Sequence, residues 1–105
     1  MKARYLVATA VALTISASTW ADEGALLYKK RACSVCHAID KKMIGPTYRE
    51  VAAKYAGDST AQAWLELKVR NGGSGVWGRI HMPGADKNLS DETIKTLVTW
   101  ILSQK

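Results

Sequence analysis

Two thiols and an imidazole stand together in one short stretch, Cys33-Ser34-Val35-Cys36-His37. The spacing C-x-x-C-H is that of covalent c-type haem attachment. Two thiols three residues apart lie on one turn, so each can add across a vinyl group of the same haem. The histidine beside the second thiol is then held under the iron and can bind it through a ring nitrogen. Three plainer readings compete: a redox dithiol, half of a zinc site, or a structural disulfide. A zinc site wants four ligands, and the only other plausible one is His81. A thioredoxin-like pair belongs near a βαβ pattern, and the sequence shows none. The motif therefore reads as one haem c, covalently held by Cys33 and Cys36.

The opening residues are of another kind. Lys2 and Arg4 form a short positive region, and Tyr5 to Ile15 is almost entirely apolar or small. Thr19-Trp20-Ala21 fits a small-x-small cleavage site, with Ala17-Ser18-Thr19 as the weaker alternative. This is the pattern of a secretory signal peptide over residues 1–21, cut after Ala21. An uncleaved anchor would want about 20 apolar residues, and this run is shorter. The expected destination is the periplasm, with no stable membrane anchor.

The remaining domain, residues 22–105, is small for a self-sufficient core, and domains of this size often rest on a disulfide, a metal or a cofactor. Both cysteines lie in the haem motif, so the haem itself must supply the apolar plate around which the chain folds. The apoprotein is expected to fold poorly. Removing Lys2 and Arg4 leaves thirteen basic against nine acidic side chains, a net charge of +4. A mildly basic surface suits acidic patches on protein partners. The charges are interspersed and no basic helix alternates with aromatics, which argues against nucleic acid, as does export.

The elements that must position the motif read as helices. Gly24 to Ala32 is the first, with Asp22 and Glu23 at its start, Leu27 and Tyr28 on its apolar face, and Lys29, Lys30 and Arg31 near its end. An irregular loop follows the motif, then Gly45-Pro46. Pro46 is expected at the first position of a helix over Thr47 to Tyr55, stopped by Gly57. Asp58-Ser59 caps a third helix carrying Trp64, Leu65, Lys68 and Val69, ended by Asn71-Gly72-Gly73. Trp64 is expected to serve packing. Ser90-Asp91-Glu92 opens the last helix, whose Ile94, Leu97, Val98, Ile101 and Leu102 form a clean apolar stripe with Trp100 beside it. That stripe should pack on the first helix near Leu27 and Tyr28. No strand pattern or repeat appears.

Between the third and last helices lies a glycine-rich stretch, Gly72 to Asn88, holding Trp77, His81 and Met82. A loop this long in so small a domain has a function or is disordered. Its aromatic and sulfur residues favour an ordered loop over one face of the haem. With His37 on the other face, the iron takes Met82, takes His81, or stays open. Met82 is preferred, because a thioether in a remote loop can reach the opposite face; neighbours in an extended segment point in opposite directions, so His81 and Met82 are not both expected to face the iron. Met43, close after His37, is better suited to the haem wall.

Several further stretches carry a resemblance. They are Cys36-His37-Ala38-Ile39-Asp40, Gly45-Pro46-Thr47-Tyr48, Val51-Ala52-Ala53-Lys54-Tyr55-Ala56-Gly57, Gly75-Val76-Trp77-Gly78, Met82-Pro83 and Trp100-Ile101-Leu102-Ser103-Gln104-Lys105. From Gly24 to Lys105 the chain resembles the small class I bacterial cytochromes c of the c-551 (c8) type. The resemblance implies an all-α fold of about four helices around one haem, with first and last helices crossing. It implies His37 and Met82 as axial ligands and the Pro46 carbonyl as hydrogen-bond acceptor for His37. It further implies Trp77 and Lys68 at the haem propionates, Lys68 as a point charge where the family often has arginine. Two departures fall in the ligand loop. His81 stands where the family usually has proline, and Gly84-Ala85-Asp86-Lys87-Asn88 stands where Pro-Asn or Pro-Gln often follows, with Asn88 the one amide available near that place.

The function so implied is a monomeric periplasmic one-electron carrier, not an enzyme. Arg31, Lys41, Lys42 and Arg79 would rim the haem edge. The resemblance implies redox partners such as a membrane cytochrome complex, a nitrite reductase, a terminal oxidase or a peroxidase. The alternative is a haem enzyme, peroxidase-like or gas-binding, with a labile sixth ligand.

Overall fold

A computed structural model describes residues 3–11 and 19–105. Lys2, the end of the apolar leader including Ile15, and Ala17-Ser18 of the weaker cleavage site lie outside the described residues. Residues 3–11 are exposed and form no helix or strand. Among the described residues there are four α-helices and no named strand: α1 Thr19–Lys30, α2 Tyr48–Lys54, α3 Ala61–Asn71 and α4 Asp91–Leu102, with a 3-10 turn at Cys33–Val35. The all-α expectation holds.

Helix α4 is the hub, and each of the other three packs against it. The reason is its composition. Ile94, Leu97, Val98 and Ile101 are buried, as the stripe required, and Ser90 caps the helix by accepting from the Thr93 amide at 3.1 Å. Trp100 lies at the centre of the core rather than beside it, only 5% exposed. Its ring meets Tyr28 at 5.4 Å and Tyr48 edge-on at 5.7 Å. The side of α4 towards α3 carries Ile94 and Val98, which with Leu89 pack on Leu65 and Val69.

Helix α1 starts at Thr19, earlier than the acidic pair suggested, and so runs across the expected cleavage point; Asp22 is the acid of its first turn. It approaches α4 closely at Gly24. A Cβ there would lie 2.2 Å from Trp100 Cβ. The helix ends at Lys30, two residues short of the expected Ala32, because Ala32 takes a left-handed conformation (φ 63°).

Helix α2 also differs from expectation at its start. Thr47, not Pro46, is its boundary residue, extended at φ −67° and ψ 152°, and its hydroxyl accepts from the Glu50 amide at 3.0 Å. Pro46 therefore stands outside the helix with its carbonyl uncommitted to the helical ladder. The first amides of α2 find partners in the loop after the haem motif: Tyr48 donates to the Ala38 carbonyl and Arg49 to that of Ile39, at 3.0 and 3.1 Å. Thr60, not Asp58-Ser59, is the boundary residue of α3 and makes no side-chain cap; the Asp58 carboxylate instead closes the turn before the helix, accepting from both the amide and hydroxyl of Thr60.

The closeness at Gly24 makes a direct test. Gly24→Val should destabilise the protein by about 1–3 kcal/mol through overpacking against Trp100, read as a lower urea midpoint at unchanged slope.

Candidate haem cavity and family

Left-handed Ala32 turns the chain sharply out of α1 into the thiol motif. The 3-10 turn that follows is closed by amide donations from Cys36 and His37 to the Cys33 carbonyl, at 3.2 and 2.9 Å. Both cysteines are thus on one turn, both half-buried and neither in a disulfide. Burial pushes the Cys33 thiol above its ordinary range, partly offset by its neighbour, the Tyr48 phenol. The phenol is raised too, chiefly by its own burial and next by the charge of Cys33. Both groups are therefore neutral at pH 7.

His37 is held from four sides. Its Nδ1 lies 2.8 Å from the Pro46 carbonyl oxygen. A carbonyl only accepts, so Nδ1 carries the proton and Nε2 keeps its lone pair. The Tyr48 ring stacks on the imidazole at 5.0 Å and 20°. Gly45 makes room on the ring, since a Cβ there would lie 2.4 Å from Cε1. Tyr28 reaches across from α1 and donates its hydroxyl proton to the His37 carbonyl at 2.7 Å. Pro46 was expected in this role. Tyr28, Tyr48 and Gly45 were not, although the Tyr48 ring follows Pro46 by two residues and Gly45 precedes it.

In front of this imidazole opens a cavity of about 490 Å³, within the usual range for bound ligands and cofactors. Cys36, His37, Met43 and Ile44 line one part of it. Trp64, Leu65 and Lys68 of α3 line another, and Val76, Trp77, His81 and Met82 of the glycine-rich loop complete it. A second cavity of about 100 Å³ adjoins, with Cys33, Arg31, Met82 and Pro83 among its walls. Trp64, expected in the packing, is instead 42% exposed and faces the main cavity. Its indole donates to the Tyr55 hydroxyl at 3.3 Å, and Lys68 Nζ stands 4.9 Å from its ring centre. Trp77 carries a second cation, Lys54 Nζ, at 5.6 Å; nothing in the sequence singled out Lys54. Lys42 and Arg79 join the cavity wall, Arg31 joins the smaller cavity, and Lys41 is exposed outside both.

The glycine-rich loop is ordered by a backbone bridge. Gly73 and Met82 exchange both amide-to-carbonyl hydrogen bonds at 2.9 Å. Gly72 permits it, left-handed at φ 68° and so close to the returning strand that a Cβ would lie 2.2 Å from the Met82 oxygen. Asn88 takes no part in the cavity; its amide donates to the Asp86 carboxylate at 2.8 Å in a local turn.

These residues fit a haem. Two free thiols on one turn, an imidazole with a free Nε2 and a largely apolar cavity beside them match a flat apolar cofactor. No cluster of three or more His, Cys, Asp or Glu side chains suited to a bare metal ion occurs among the described residues, which removes the zinc reading there. A profile of the family described as Cytochrome c matches residues 21–105. The chain belongs to the cytochrome c family. Cytochrome c-551 of Pseudomonas aeruginosa is 47% identical over 100 residues, 95% of this chain and 92% of that protein. Cytochrome c-552 of Nitrosomonas europaea is 40% identical over the whole of both chains. The crystal structure of the Nitrosomonas cytochrome superposes with a TM-score of 0.71 at 44% identity, over 77% of this chain and 99% of that one. A class 1 cytochrome of Sideroxydans lithotrophicus gives 0.71 at 36% identity, over 79% and 94%. The fold is that of the class I cytochromes c. As a monohaem cytochrome c, the protein is an electron carrier and not an enzyme, with one haem c attached through Cys33 and Cys36.

Two left-handed residues frame this cytochrome's site and respond oppositely to substitution. Ala32→Gly relieves a Cβ strain of about 1–2 kcal/mol at the cost of about 0.5–1 in chain entropy, so thermal unfolding should move upward slightly. Gly72→Ala adds both the strain and the collision with Met82, and should lower stability by at least about 1–2 kcal/mol.

Proposed function

We propose that this cytochrome is exported to the periplasm and passes single electrons from a membrane cytochrome complex to a nitrite reductase, terminal oxidase or peroxidase. Residues 1–21 act as the signal peptide and residues 22–105 as the working monomer. The family match beginning at residue 21 supports that division. Among the described residues no helix is long and apolar enough to cross a membrane.

One observation carries the site assignment. The hydrogen bond from His37 Nδ1 to the Pro46 carbonyl leaves Nε2 as the nitrogen free for iron and fixes the ring's orientation. His37 would hold the iron through Nε2, and Met82, in the wall of the same cavity, would supply the second protein ligand. When bound, the haem would supply a reversible one-electron iron couple. A thioether ligand would raise the reduction potential and close the iron to substrates. Trp77 and Lys68 hold the propionate end of the cavity, with Lys68 as a point charge beside Trp64. Tyr28, Tyr48 and Gly45 keep the imidazole from rotating, so little of the protein need rearrange between redox states. Exposed Arg31, Lys41, Lys42 and Arg79 steer acidic partners, which makes association rates fall with ionic strength.

The holoprotein should show the absorption band of a thioether bound to Fe(III). Met82→Ala should abolish it, admit small ligands to the ferrous form and lower the potential by on the order of 0.1 V or more, within the roughly 0.8 V that axial ligands control. Unchanged spectra in that variant would remove Met82 from the iron. The paired variant Cys33→Ala, Cys36→Ala should lose covalent haem and give a chain without a sharp thermal transition, measured by circular dichroism.

A further inference from the structure

Beyond its bridge to Gly73, the Met82 segment is tied to α3 by backbone contacts and by one side chain. We propose that Arg70 is the positioning residue of the ligand loop, a guanidinium clamp that keeps Met82 presented to the cavity. This rests on the reading of Met82 as an axial ligand.

Arg70 sits in the last turn of α3, two residues before the glycine that meets Met82. Its side chain turns away from the cavity towards the return limb of the loop. Nη1 donates to the Asp86 carbonyl at 3.2 Å, and Nη2 donates to the Leu89 carbonyl and to the Asp91 carboxylate, the latter at 2.7 Å. One planar group thus gathers three acceptors from the loop's end and the first residue of α4. The backbone around it adds two further ties. Ala85 donates its amide to the Val69 carbonyl at 2.8 Å, and Gly84 lies so near Arg70 that a Cβ would come within 2.7 Å of the Arg70 carbonyl oxygen.

The need for a clamp lies in the segment itself. Of the residues from Met82 to Asn88, only Ala85 is half-buried and the rest are exposed, and Pro83 is the sole residue with a restricted φ. Gly84 is backbone freedom next to the ligand. Leu89 is the first buried side chain after Met82. Without the guanidinium, the limb between the Ala85 tie and the Leu89 anchor has only its local turn at Asp86 to hold it. The ion pair with Asp91 is the lesser part, because the Asp91 side chain is 95% exposed whereas that of Arg70 is 25% exposed. The carbonyl bonds, charge-assisted and, at Leu89, half-buried, do most of the holding. A lysine could keep the charge but could not reach three acceptors in a fixed fork.

Arg70→Gln, Arg70→Lys and Asp91→Asn should be compared as holoproteins by native-state amide exchange, and by following the thioether–Fe(III) band through a urea titration. In Arg70→Gln the Met82 and Ala85 amides should exchange about tenfold faster relative to the Leu97 and Val98 amides of α4. The band should vanish at lower urea than global unfolding. Arg70→Lys should fall with Arg70→Gln, and Asp91→Asn near the parent protein. Equal acceleration of loop and core amides, or loss of the band only with global unfolding, would overturn the clamp. Should Arg70→Gln fail to fold, Arg70→Lys decides by the same two ratios. A parent protein without the thioether band would instead overturn the ligand reading on which the clamp rests.

Discussion

The hydrogen bond between His37 Nδ1 and the Pro46 carbonyl is the constraint on which the site depends. It chooses the tautomer, and through it the nitrogen that faces the cavity. Its geometry is set by elements far apart in the chain. Pro46 can accept because Thr47 takes over the start of α2, leaving the proline carbonyl outside the helix. The imidazole lies flat because Tyr48, one residue further on, is buried beneath it and wedged against Tyr28 and Trp100. The core of α1 and α4 thereby reaches the haem motif through a continuous set of aromatic contacts. A disturbance of that core would be felt at the ring.

The opposite side of the cavity is built on a different principle. Among the described residues no aromatic stack backs the loop from Gly72 to Leu89. It is held by main-chain bonds to the end of α3 and by the Arg70 fork. Main-chain bonding of this kind demands glycine where backbones meet, and Gly72 meets the Met82 carbonyl at a distance no side chain allows. The imidazole side is rigid through packing, and the thioether side through hydrogen bonds. The second kind opens locally at lower cost. A difference in firmness between the two sides is therefore built into the fold.

Size explains why the protein combines both. The buried apolar set is short, centred on Tyr48, Val51, Leu97, Trp100 and Ile101 with a second cluster around Ile94 and Val98. A core so small is marginal without a prosthetic group. The cavity is bounded by α2, α3 and the glycine-rich loop rather than by α1, so its filling adds contacts between α2 and α3, which otherwise pack chiefly on α4.

The sequence alone determined the cofactor and the helices. Thiol spacing is a local chemical fact, and the stripe on α4 is a local periodicity, so Cys33, Cys36, His37 and the residues from Ile94 to Leu102 were legible without coordinates. Resemblance added Pro46, Trp77 and Lys68 as candidates for the remaining roles and reinforced Met82, already preferred from its place in the loop. Tertiary structure decided what no local pattern encodes. The helical start moved from Pro46 to Tyr48, because Ala38 and Ile39 supply carbonyls to the free amides there. Trp64 went to the cavity and Trp100 to the core, although both are tryptophans on amphipathic helices, because α4 is packed by three helices whereas α3, among the described elements, packs on α4 alone and turns Trp64 to the cavity. Tyr28, Gly45 and Arg70 acquired their places from partners eight or more residues away. The chemistry of the site is written in adjacent residues, whereas its orientation comes from contacts that exist only once the chain has closed on itself.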